Sequence, residues 1–482
     1  MQDMGTVEIV ASRLPVGQLP EVIVTASREE VPPDLVSPDQ FYLEKVELIT
    51  SQQVISLQNI MVELSYFEDI MNSSVTGEIL INDAQSIIDR LMMNGGEYIR
   101  LKFKKTKQAN NTFFKYFRIF RVSERLLDTN YTELYKLHFC SEELFLSEQK
   151  KISKSYPGKR ISDIVTDILA NELKVPEDKL IIENTKGLYD FIIPYKKPFE
   201  AINWLANYAQ PQKTLGADFL FFENHEGFNF MSLQTLYKQK PYKKYKYSVR
   251  NVNAFTESAR SLYDIKSYTF LDTFDSLYGT STGAFSNSVL TIDPLTRRYT
   301  TTNYNYLENF SKYTHLNSHP VLPDNKNRND VKSSESYTSV FKVLTTNAGQ
   351  KNALGIKDKP DSVANDVGVE TYVPHRTSQL AMAHYSRIKL SVAGDPGLTV
   401  GQTIDITLPS LKNKDGSSIQ QGQKDDVHSG KYLITAVRHI IDSYLKYETV
   451  LEIAKESHPV QLSSFNDTDA TQLQRSVMVD KR

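Results

Sequence analysis

The chain contains an alternation of apolar and polar residues in three stretches, GEYIRLKF at 96–103, FRIFRV at 117–122 and YKLHFC at 135–140. About three hundred residues later the alternation recurs in GQTIDITL at 401–408, KYLITAVR at 431–438 and YETVLEI at 447–453. A further strand pattern precedes each set, TGEILI at 76–81 and RIKLSV at 387–392. Successive side chains of a strand point to opposite faces, so this period places one face in a core. The sequence therefore predicts two antiparallel β modules, each containing the same four-strand pattern.

The composition is typical of a multidomain protein without disulfides. A length of 482 residues corresponds to about three domains, each able to bury a core. The net charge of -2 argues against nucleic-acid binding through overall charge. The single cysteine, Cys140, excludes an internal disulfide and a cysteine zinc site, and its place in an alternating strand predicts a small buried side chain. We find no leader-like segment and no apolar run of membrane length, so we expect a protein made and assembled in a cytosol.

We predict a β-rich α+β fold divided into six regions. They are an extended amino-terminal arm (1–38), a first β-barrel module (39–150), an α+β insert (151–248), a β segment rich in Tyr, Thr and Asn (249–340), a second β-barrel module (341–458) and an extended carboxyl-terminal tail (459–482). The abundance of Tyr and Phe, 27 and 23 residues against one Trp, is typical of a β-rich chain with large contact surfaces.

The sequence pattern of the insert predicts a helix, a strand, a second helix and a hairpin. Apolar residues from Ile161 to Leu173 follow helical spacing, and Pro176 ends that run. The other predicted elements of the insert are a strand at 188–193, a helix with Pro198 in its first turn, and a hairpin of 218–222 with 228–232. Short helices are also predicted at 84–91 in the first module and, after Pro374, at 378–385 before the second.

The arm carries two similar apolar phrases, of which the second includes Val22, Ile23 and Val24. Prolines interrupt the arm too often for it to form a core, so we predict that it adds a strand to the sheet edge of a partner. The second phrase also resembles the energy-coupling segment of outer-membrane transporters. That interpretation requires an export signal and a long barrel of alternating strands, which the sequence does not indicate.

Three motifs suggest catalysis or metal binding. Residues 279–283 match G-x-S-x-G around Ser281, and Asp293 and His315 follow in the order of a hydrolase triad. The flanks do not predict the buried strand and helix that such a nucleophile requires, so a flexible turn is the favoured interpretation. His315 and His319 have the spacing of a zinc helix, but Leu316 replaces the glutamate and Pro320 opposes a helix. Residues 413–416 imitate part of a calcium loop without its first and last ligands.

A basic run near the end of the insert interleaves lysines with tyrosines. Its cations are Lys238, Lys240, Lys243, Lys244 and Lys246, and Tyr242 and Tyr245 lie among them. Lysines that contact phosphates beside tyrosines that stack on bases would suit a nucleic-acid surface. A solvated edge strand whose charges prevent unwanted pairing fits the run as well, and it is the favoured interpretation.

The order of the parts, with a tyrosine-rich segment between the insert and the second module, resembles the baseplate central hub proteins of contractile-tailed bacteriophages. More distantly, it resembles the hub part of type VI secretion spike proteins. The stretches that carry the resemblance are VTGEILIND at 75–83, PFEAI at 198–202, ADFLFFEN at 217–224, IDPLTR at 292–297, GDPGLTVG at 394–401 and SGKYLI at 429–434. Together they span roughly residues 40–458 and leave out the arm and the tail.

The resemblance implies a homotrimer in which two tail-tube-like barrels per chain form a pseudo-hexameric ring around a channel. Such a ring adapts the sixfold tail tube to a threefold central spike, a separate polypeptide, in a virion baseplate assembled in the host cytoplasm. The implied partners are further copies of the chain, the tail tube protein or a tube initiator, the spike and baseplate wedge proteins, with DNA only passing through. We expect no enzymatic activity, cofactor or metal. The alternatives are a tail-associated esterase or glycan hydrolase, and a DNA-contacting channel protein.

Overall fold

The computed structural model describes most of the chain between residues 40 and 462. The described ranges are 40–106, 112–127, 132–247, 260–293, 298–322, 331–336, 338–339, 344–345, 363–364, 369–410, 424–443 and 446–462. The predicted arm, with Val22, Ile23 and Val24, lies outside the described residues.

The first copy of the pattern forms strands where the alternation predicts them. The strands of this part are β1 (Tyr42–Ile49), β2 (Val54–Ser56), β3 (Met61–Asp69), β4 (Thr76–Asp83), β5 (Tyr98–Lys104), β6 (Thr112–Leu127) and β7 (Glu133–Cys140). A short helix, α1 (Ile87–Leu91), lies between β4 and β5. It begins later than residue 84, because the Asp83 carboxylate accepts hydrogen bonds from the backbone N–H groups of Gln85 and Ile87 and holds a turn there.

The insert contains the predicted helix, strand, helix and hairpin, together with further short elements. Its elements are α2 (Glu142–Gln149), β8 (Ile152–Lys159), α3 (Ile161–Asp167), β9 (Leu180–Ile182), β10 (Leu188–Lys196), α4 (Pro198–Ala206), β11 (Phe219–Glu223), β12 (Phe228–Ser232), α5 (Leu233–Lys238) and β13 (Lys244–Lys246). A π-turn at Ile168–Glu172 extends α3 to the length that the apolar spacing predicts. The predicted hairpin is confirmed by the antiparallel register of β11 and β12.

The remaining elements belong to the tyrosine-rich segment and the second copy. The segment contains β14 (Ile265–Asp272), α6 (Ser276–Ser281), β15 (Ser286–Asp293), β16 (Arg298–Asn305), α7 (Tyr306–Asn309), β17 (His319–Pro320), β18 (Thr338–Ser339), β19 (Leu344–Thr345) and β20 (Val363–Ala364). The second copy contains α8 (Val369–Met382), β21 (Ser386–Ala393), β22 (Thr403–Thr407), β23 (Gly430–Asp442), β24 (Tyr447–Lys455) and β25 (Ser457–His458).

The predicted bounds of the helix before β21 are wrong. We expected it to follow Pro374, whereas α8 begins at Val369, contains Pro374 and ends at Met382. A proline removes one backbone donor and opposes the preceding turn, but packing can outweigh that cost. Here the Pro374 carbonyl accepts a hydrogen bond from the buried Asn287 side chain, and Tyr372 on the same helix is buried.

The two copies have the same strand order. In the first, antiparallel pairing follows the order β4-β7-β6-β5, and in the second it follows β21-β24-β23-β22. Each copy is extended beyond its first strand by an antiparallel neighbour, β3 beside β4 and β14 beside β21. The duplication predicted from the sequence pattern is therefore present in the strand topology.

An irregularity of the ladder is repeated as well. The pairing of β6 with β7 shifts register between Ile119 and Arg121, and that of β23 with β24 shifts between Ile434 and Ala436. In both copies the shift lies where the long strand leaves one neighbour, β5 or β22. Beyond the shift β23 continues beside β3, whereas among the described residues β6 continues beside β7 alone. A β-bulge bends the strand that carries it, so both long strands change direction at the same place.

One continuous sheet contains both copies, because β23 pairs with β3. This 13-stranded sheet covers two main apolar cores. One core holds residues from β1 to β7 and the other holds residues from β21 to β24 and from the insert. A third core lies within the insert, around α3 and α4. The predicted β-rich α+β class is confirmed.

No helix among the described residues combines the length and the apolar character that a bilayer-spanning helix needs.

The two copies fill equivalent core positions with different volumes. In the first copy Gly77 on β4 lies directly opposite Phe139 on β7. In the second the corresponding pair on β21 and β24 is Ile388 and Ile453, both fully buried. A Cβ atom added to Gly77 would lie 2.2 Å from the Phe139 ring and 2.7 Å from the Ser65 carbonyl oxygen. The missing side chain of Gly77 is thus what admits the large ring of Phe139.

We expect Gly77→Ala to lower the free energy of unfolding by about 1–3 kcal/mol, because the new methyl group has no room beside Phe139 and Ser65. Denaturant unfolding of the purified protein measures the change. Gly96→Ala is the matched control, since Gly96 is exposed and its added Cβ would meet only the Asn94 side chain, at 3.3 Å. An equal loss in both variants would contradict the packing argument.

Candidate functional site

The junction between the two copies is an antiparallel strand pair. Residues Ala436–Asp442 of β23 lie beside Glu63–Asp69 of β3. On the outer face, the Arg438 guanidinium donates to the Ser65 hydroxyl at 3.0 Å and forms an ion pair with Glu63 at 3.0 Å. Arg438 also lies over the Phe67 ring, at 5.3 Å. These contacts cover the outside of the pair, although at partly exposed positions such ion pairs contribute little stability.

The inner face of the junction is apolar and aromatic. Ile441 of β23 lies opposite Leu64 of β3, and both side chains are fully buried. Ile441 and Tyr447 belong to the second copy by sequence but pack in the core of the first. Burying a side chain such as Ile441 is worth about 1.5–3 kcal/mol, so the shared core binds the copies more firmly than the outer ion pair does.

A buried histidine lies at the centre of this face. His439 is opposite Tyr66, and its ring is stacked on the Tyr66 ring with centroids 5.8 Å apart. The Leu398 carbonyl lies 3.2 Å from Nε2 and the Tyr447 hydroxyl 2.8 Å from Nδ1, which assigns the proton to Nε2. Burial and the nearby His225 lower the pKa of His439 to about 3, while Asp395 acts in the opposite direction. His439 is therefore neutral near pH 7.

A buried glutamate connects the two copies with the insert. The Glu68 carboxylate of β3 accepts hydrogen bonds from the Tyr66 hydroxyl at 2.9 Å, the backbone N–H of Val400 at 3.0 Å and the backbone N–H of His225 at 2.8 Å. The Thr399 hydroxyl also donates to it. Burial raises the pKa of Glu68, and the donated hydrogen bonds act against that rise. One side chain thus receives donors from the first copy, the second copy and the insert hairpin.

A second buried glutamate fixes the insert to the first copy. Glu223, at the end of β11, accepts hydrogen bonds from the backbone N–H of Val75 at 3.0 Å and from the Ser141 hydroxyl at 2.7 Å. Lys115 of β6 forms an ion pair with it at 2.5 Å. Removing one partner of such a buried pair leaves an uncompensated charge and costs about 3–5 kcal/mol. We call Glu68, Glu223, Lys115 and His439 the junction cluster.

The junction cluster is suited to holding three parts of the chain together. Its carboxylates are occupied by donors from neighbouring elements, and its histidine is enclosed between Tyr66, Tyr447 and Leu398. Among the described residues, no group of three or more His, Cys, Asp or Glu side chains is placed to hold a metal ion. The geometry supports a structural role for this cluster.

The sequence did not single out these residues. Glu68 follows Leu64 and Tyr66 in the phase of the buried face, so a charged residue in an otherwise apolar phase was the available signal. His439 has the same signal between Val437 and Ile441. Several of their partners, however, lie more than a hundred residues away in the sequence: Val400 and His225 for Glu68, and Tyr66 for His439.

The structure places the hydrolase-like residues in unrelated settings. Ser281 ends α6, is exposed, and donates its hydroxyl to the Tyr278 carbonyl at 3.1 Å, so it does not occupy a turn between a strand and a following helix. The His315 ring stacks on Phe310 with centroids 3.7 Å apart. The predicted turn is thus the end of a short helix.

The structure does not bring the two histidines of the zinc-like motif together on one helix. His319 lies in β17, paired with β25, so His315 and His319 are not on one helix. Residues 413–416 lie outside the described part of the chain. Cys140 is buried as predicted, and burial raises the pKa of its thiol to about 12.

The basic run is divided between exposed and engaged side chains. Lys238, Lys240, Lys244 and Lys246 are exposed, whereas Lys243 forms an ion pair with Asp395. Tyr245 is buried against the second core, and β13 pairs in parallel with β22. Tyr245 therefore does not offer a face to a base, and an alternating edge strand describes this part of the run. Nucleic-acid contact by the lysines stays a prediction.

The depressed pKa of His439 predicts that acid weakens the fold. Between about pH 6.5 and 3 the unfolded chain binds a proton at this position and the folded chain does not, so the free energy of unfolding falls as pH drops, by up to about 1.4 kcal/mol per pH unit. His439→Gln removes this contribution. Urea unfolding between about pH 7 and 5 measures both slopes, and a slope unchanged by the substitution would contradict the assignment.

We expect Ser281→Ala to leave any ester hydrolysis by the purified protein unchanged, because the exposed Ser281 hydroxyl donates to a carbonyl at a helix end. A chromogenic short-chain ester assay compares the variant with the wild type. Loss of a measured activity would overturn the structural interpretation of this motif.

Comparison with known proteins finds similarity at the level of solved structures. No protein-family model matches the chain, and no curated protein matches it by sequence. One similar structure is the tail protein from Neisseria meningitidis MC58, with 10% identity and a TM-score of 0.48 over 87% of this chain and 98% of that chain. Another is the 43 kDa tail protein of prophage MuSo2 from Shewanella oneidensis, with 9% identity and a TM-score of 0.49 over 86% and 100%.

A third similar structure is the E. coli c3393 protein, described as a component of the type VI secretion system with structural similarity to the T4 bacteriophage tail proteins gp27 and gp5. It has 8% identity and a TM-score of 0.39 over 88% of this chain and 79% of that chain. Of these three structures, two are tail proteins and one is a component of the type VI secretion system.

Proposed function

We propose that this chain is a structural protein of a contractile phage tail, the central hub of its baseplate. The observation that carries the proposal is the duplicated module, with one strand order, one bulge position and a strand pair that joins the copies. A chain with two equivalent modules lets a trimer present six similar positions. Oligomers close through repeated equivalent contacts, so three such chains suit a ring of sixfold appearance.

The copies share one strand order and differ at their edges. In the first, β1 lies antiparallel beside β5, whereas in the second β13 lies parallel beside β22. The insert follows only the first copy, and Glu223 holds it there. Six positions that alternate in this way keep threefold character. This supports the proposed role as a symmetry adaptor between a sixfold tail tube and a threefold spike.

The partners follow from this role. They are further copies of the chain in a homotrimer, the tail tube protein or a tube initiator, the central spike protein and baseplate wedge proteins. The protein would be assembled in the host cytoplasm and act in the virion during host cell entry. We also propose that the arm, through Val22, Ile23 and Val24, adds a strand to the sheet edge of one of these partners.

The proposal is for a protein without catalysis. Burial and donated hydrogen bonds engage the carboxylates and the histidine of the junction cluster, and Ser281 lacks the setting of a nucleophile. These groups therefore have structural explanations in the described part of the chain. Any contact with DNA would occur as it passes through the channel.

We expect the purified protein to have three times the 55.0 kDa chain mass in solution. Light scattering coupled to size-exclusion chromatography measures the mass over a range of concentrations. A protein that stays monomeric at the highest attainable concentration would contradict the proposed hub.

A further inference from the structure

We propose that the second half of β6, Phe120–Leu127, pairs with β14 of a second copy of this chain. This contact would repeat between chains the pairing that β23 and β3 make within one. The inference rests on the proposed function and deepens it, because it names the surface through which the copies associate. It commits to an antiparallel pair of two defined strands.

The strand topology supplies the equivalence. β6 holds the position in the first copy that β23 holds in the second, with the same bulge. β3 lies beside β4 as β14 lies beside β21. Within the chain, the long strand of the second copy meets the outer strand of the first. The remaining equivalent pair is β6 with β14, which one chain does not bring together and two chains would.

The register of the internal junction predicts the register of the external one. Leu127 lies opposite Glu133 as Ile441 lies opposite Tyr447, four residues from the matched positions Leu137 and Leu451. Over this length β6 has one extra residue, at a second register shift between Ser123 and Leu126. Leu127 of β6 is therefore the counterpart of Ile441.

The outer strands align in the same way. Leu64 of β3 lies opposite Ile79, and Tyr268 of β14 lies opposite Leu390, the counterpart of Ile79. Because Ile441 pairs with Leu64 inside the chain, Leu127 is expected opposite Tyr268 of the neighbour. The adjacent expected pair is Leu126 with Thr269.

Of two equivalent positions in the copies, the one that lacks a neighbouring strand is the more exposed, as a missing partner predicts. Ile441 is 0% exposed because it enters the core of the other copy, whereas its counterpart Leu127 is 77% exposed. A leucine left in water at the position of a core isoleucine forgoes the burial that the internal junction gains. A neighbouring chain would provide that core, around Tyr268 and the second module.

Both edges are open in the described part of the chain. There, the backbone of Phe120–Leu127 pairs only with β7, and β14 pairs only with β21. Nearly half of the exposed large hydrophobic side chains of the described residues lie on Phe120–Leu127, on β14, or on α6 and the turn before it. They are Phe120, Leu126 and Leu127 on β6, and Phe270, Leu271, Phe274, Leu277 and Tyr278 on β14, α6 and the turn between them.

A long open edge flanked by apolar side chains is a template for strand pairing. Edges of this kind in a stable protein are either covered or used. A contact between two different edges of one chain is heterologous, so an open assembly of any length retains one free edge of each kind until a ring closes. Repetition of the same junction, alternately inside and between chains, would thus generate a closed assembly of equivalent modules.

Disulfide cross-linking tests the register directly. We would introduce Leu126→Cys and Thr269→Cys together into the full chain, at two exposed positions that the proposed pairing places opposite each other. Directly opposite residues of antiparallel strands have Cα separations that a disulfide spans. Cys140 is buried and does not compete. We expect a ladder of cross-linked chains on a non-reducing gel, and none from either single variant.

Disruption of the contact provides the second measurement. Leu127→Lys places a charge where the neighbour's core is expected and leaves the free chain unaffected, since the side chain is exposed there. We expect at least about a tenfold rise in the concentration at which half of the chains are assembled. Leu215→Lys is the matched control, because Leu215 is 68% exposed and belongs to neither β6 nor β14, so it should leave assembly unchanged.

The possible outcomes distinguish failure of the proposed contact surface from failure of the proposed hub function. A wild type that assembles, with no cross-linked ladder and with Leu127→Lys as assembled as Leu215→Lys, overturns the proposed surface and leaves the hub standing. A wild type that stays monomeric overturns both. If the ladder and the lysine variant disagree, the ladder decides, because it reports the residue pair itself.

Discussion

The pairing of β23 with β3 is the constraint on which the other features depend. It joins two strand sets about three hundred residues apart into one sheet and carries Ile441 and Tyr447 into the core of the first copy. The buried carboxylate of Glu68 is tolerable only there, since its donors come from both copies and the insert hairpin. Loss of this pair would separate Glu68 from its donors in the second copy and His439 from the Tyr66 ring, and it would expose two apolar faces.

The sequence predicted what local periodicity determines. Alternation of period two located the strands of both copies, and helical spacing located α3 and α4, because each element buries one face. It did not predict the junction, since no local pattern records which distant strand a given edge meets. The extent of α8 was missed because a proline usually ends a helix, and here packing around Tyr372 and Asn287 outweighs its preference. In the sequence, the polar residues of the junction cluster stood out only as polar side chains at positions that the alternation assigns to the buried face.

The structural role and the repeated strand contact together account for the open edges of β6 and β14 and for the apolar side chains exposed there. Both copies need a neighbour at the long strand and at the outer strand, and one chain satisfies only half of these needs. The exposed apolar residues of β6 and β14 are then the halves of an interface that the chain already contains once in complete form. Specificity would come from strand register, as it does inside the chain, with little dependence on surface charge.

The unequal volumes of the two copies have a consequence for folding. If β4 took the place of β21 beside β24, Gly77 would face Ile453 and leave a void. In the reverse exchange, the side chain of Ile388 would enter the space that the Phe139 ring fills beside Gly77. A duplicated chain risks assembling its halves from the wrong strands, and here size alone marks each strand as belonging to one half. Gly77 therefore favours the pairing of β4 with β7, the strand whose Phe139 ring fills the space that the glycine leaves.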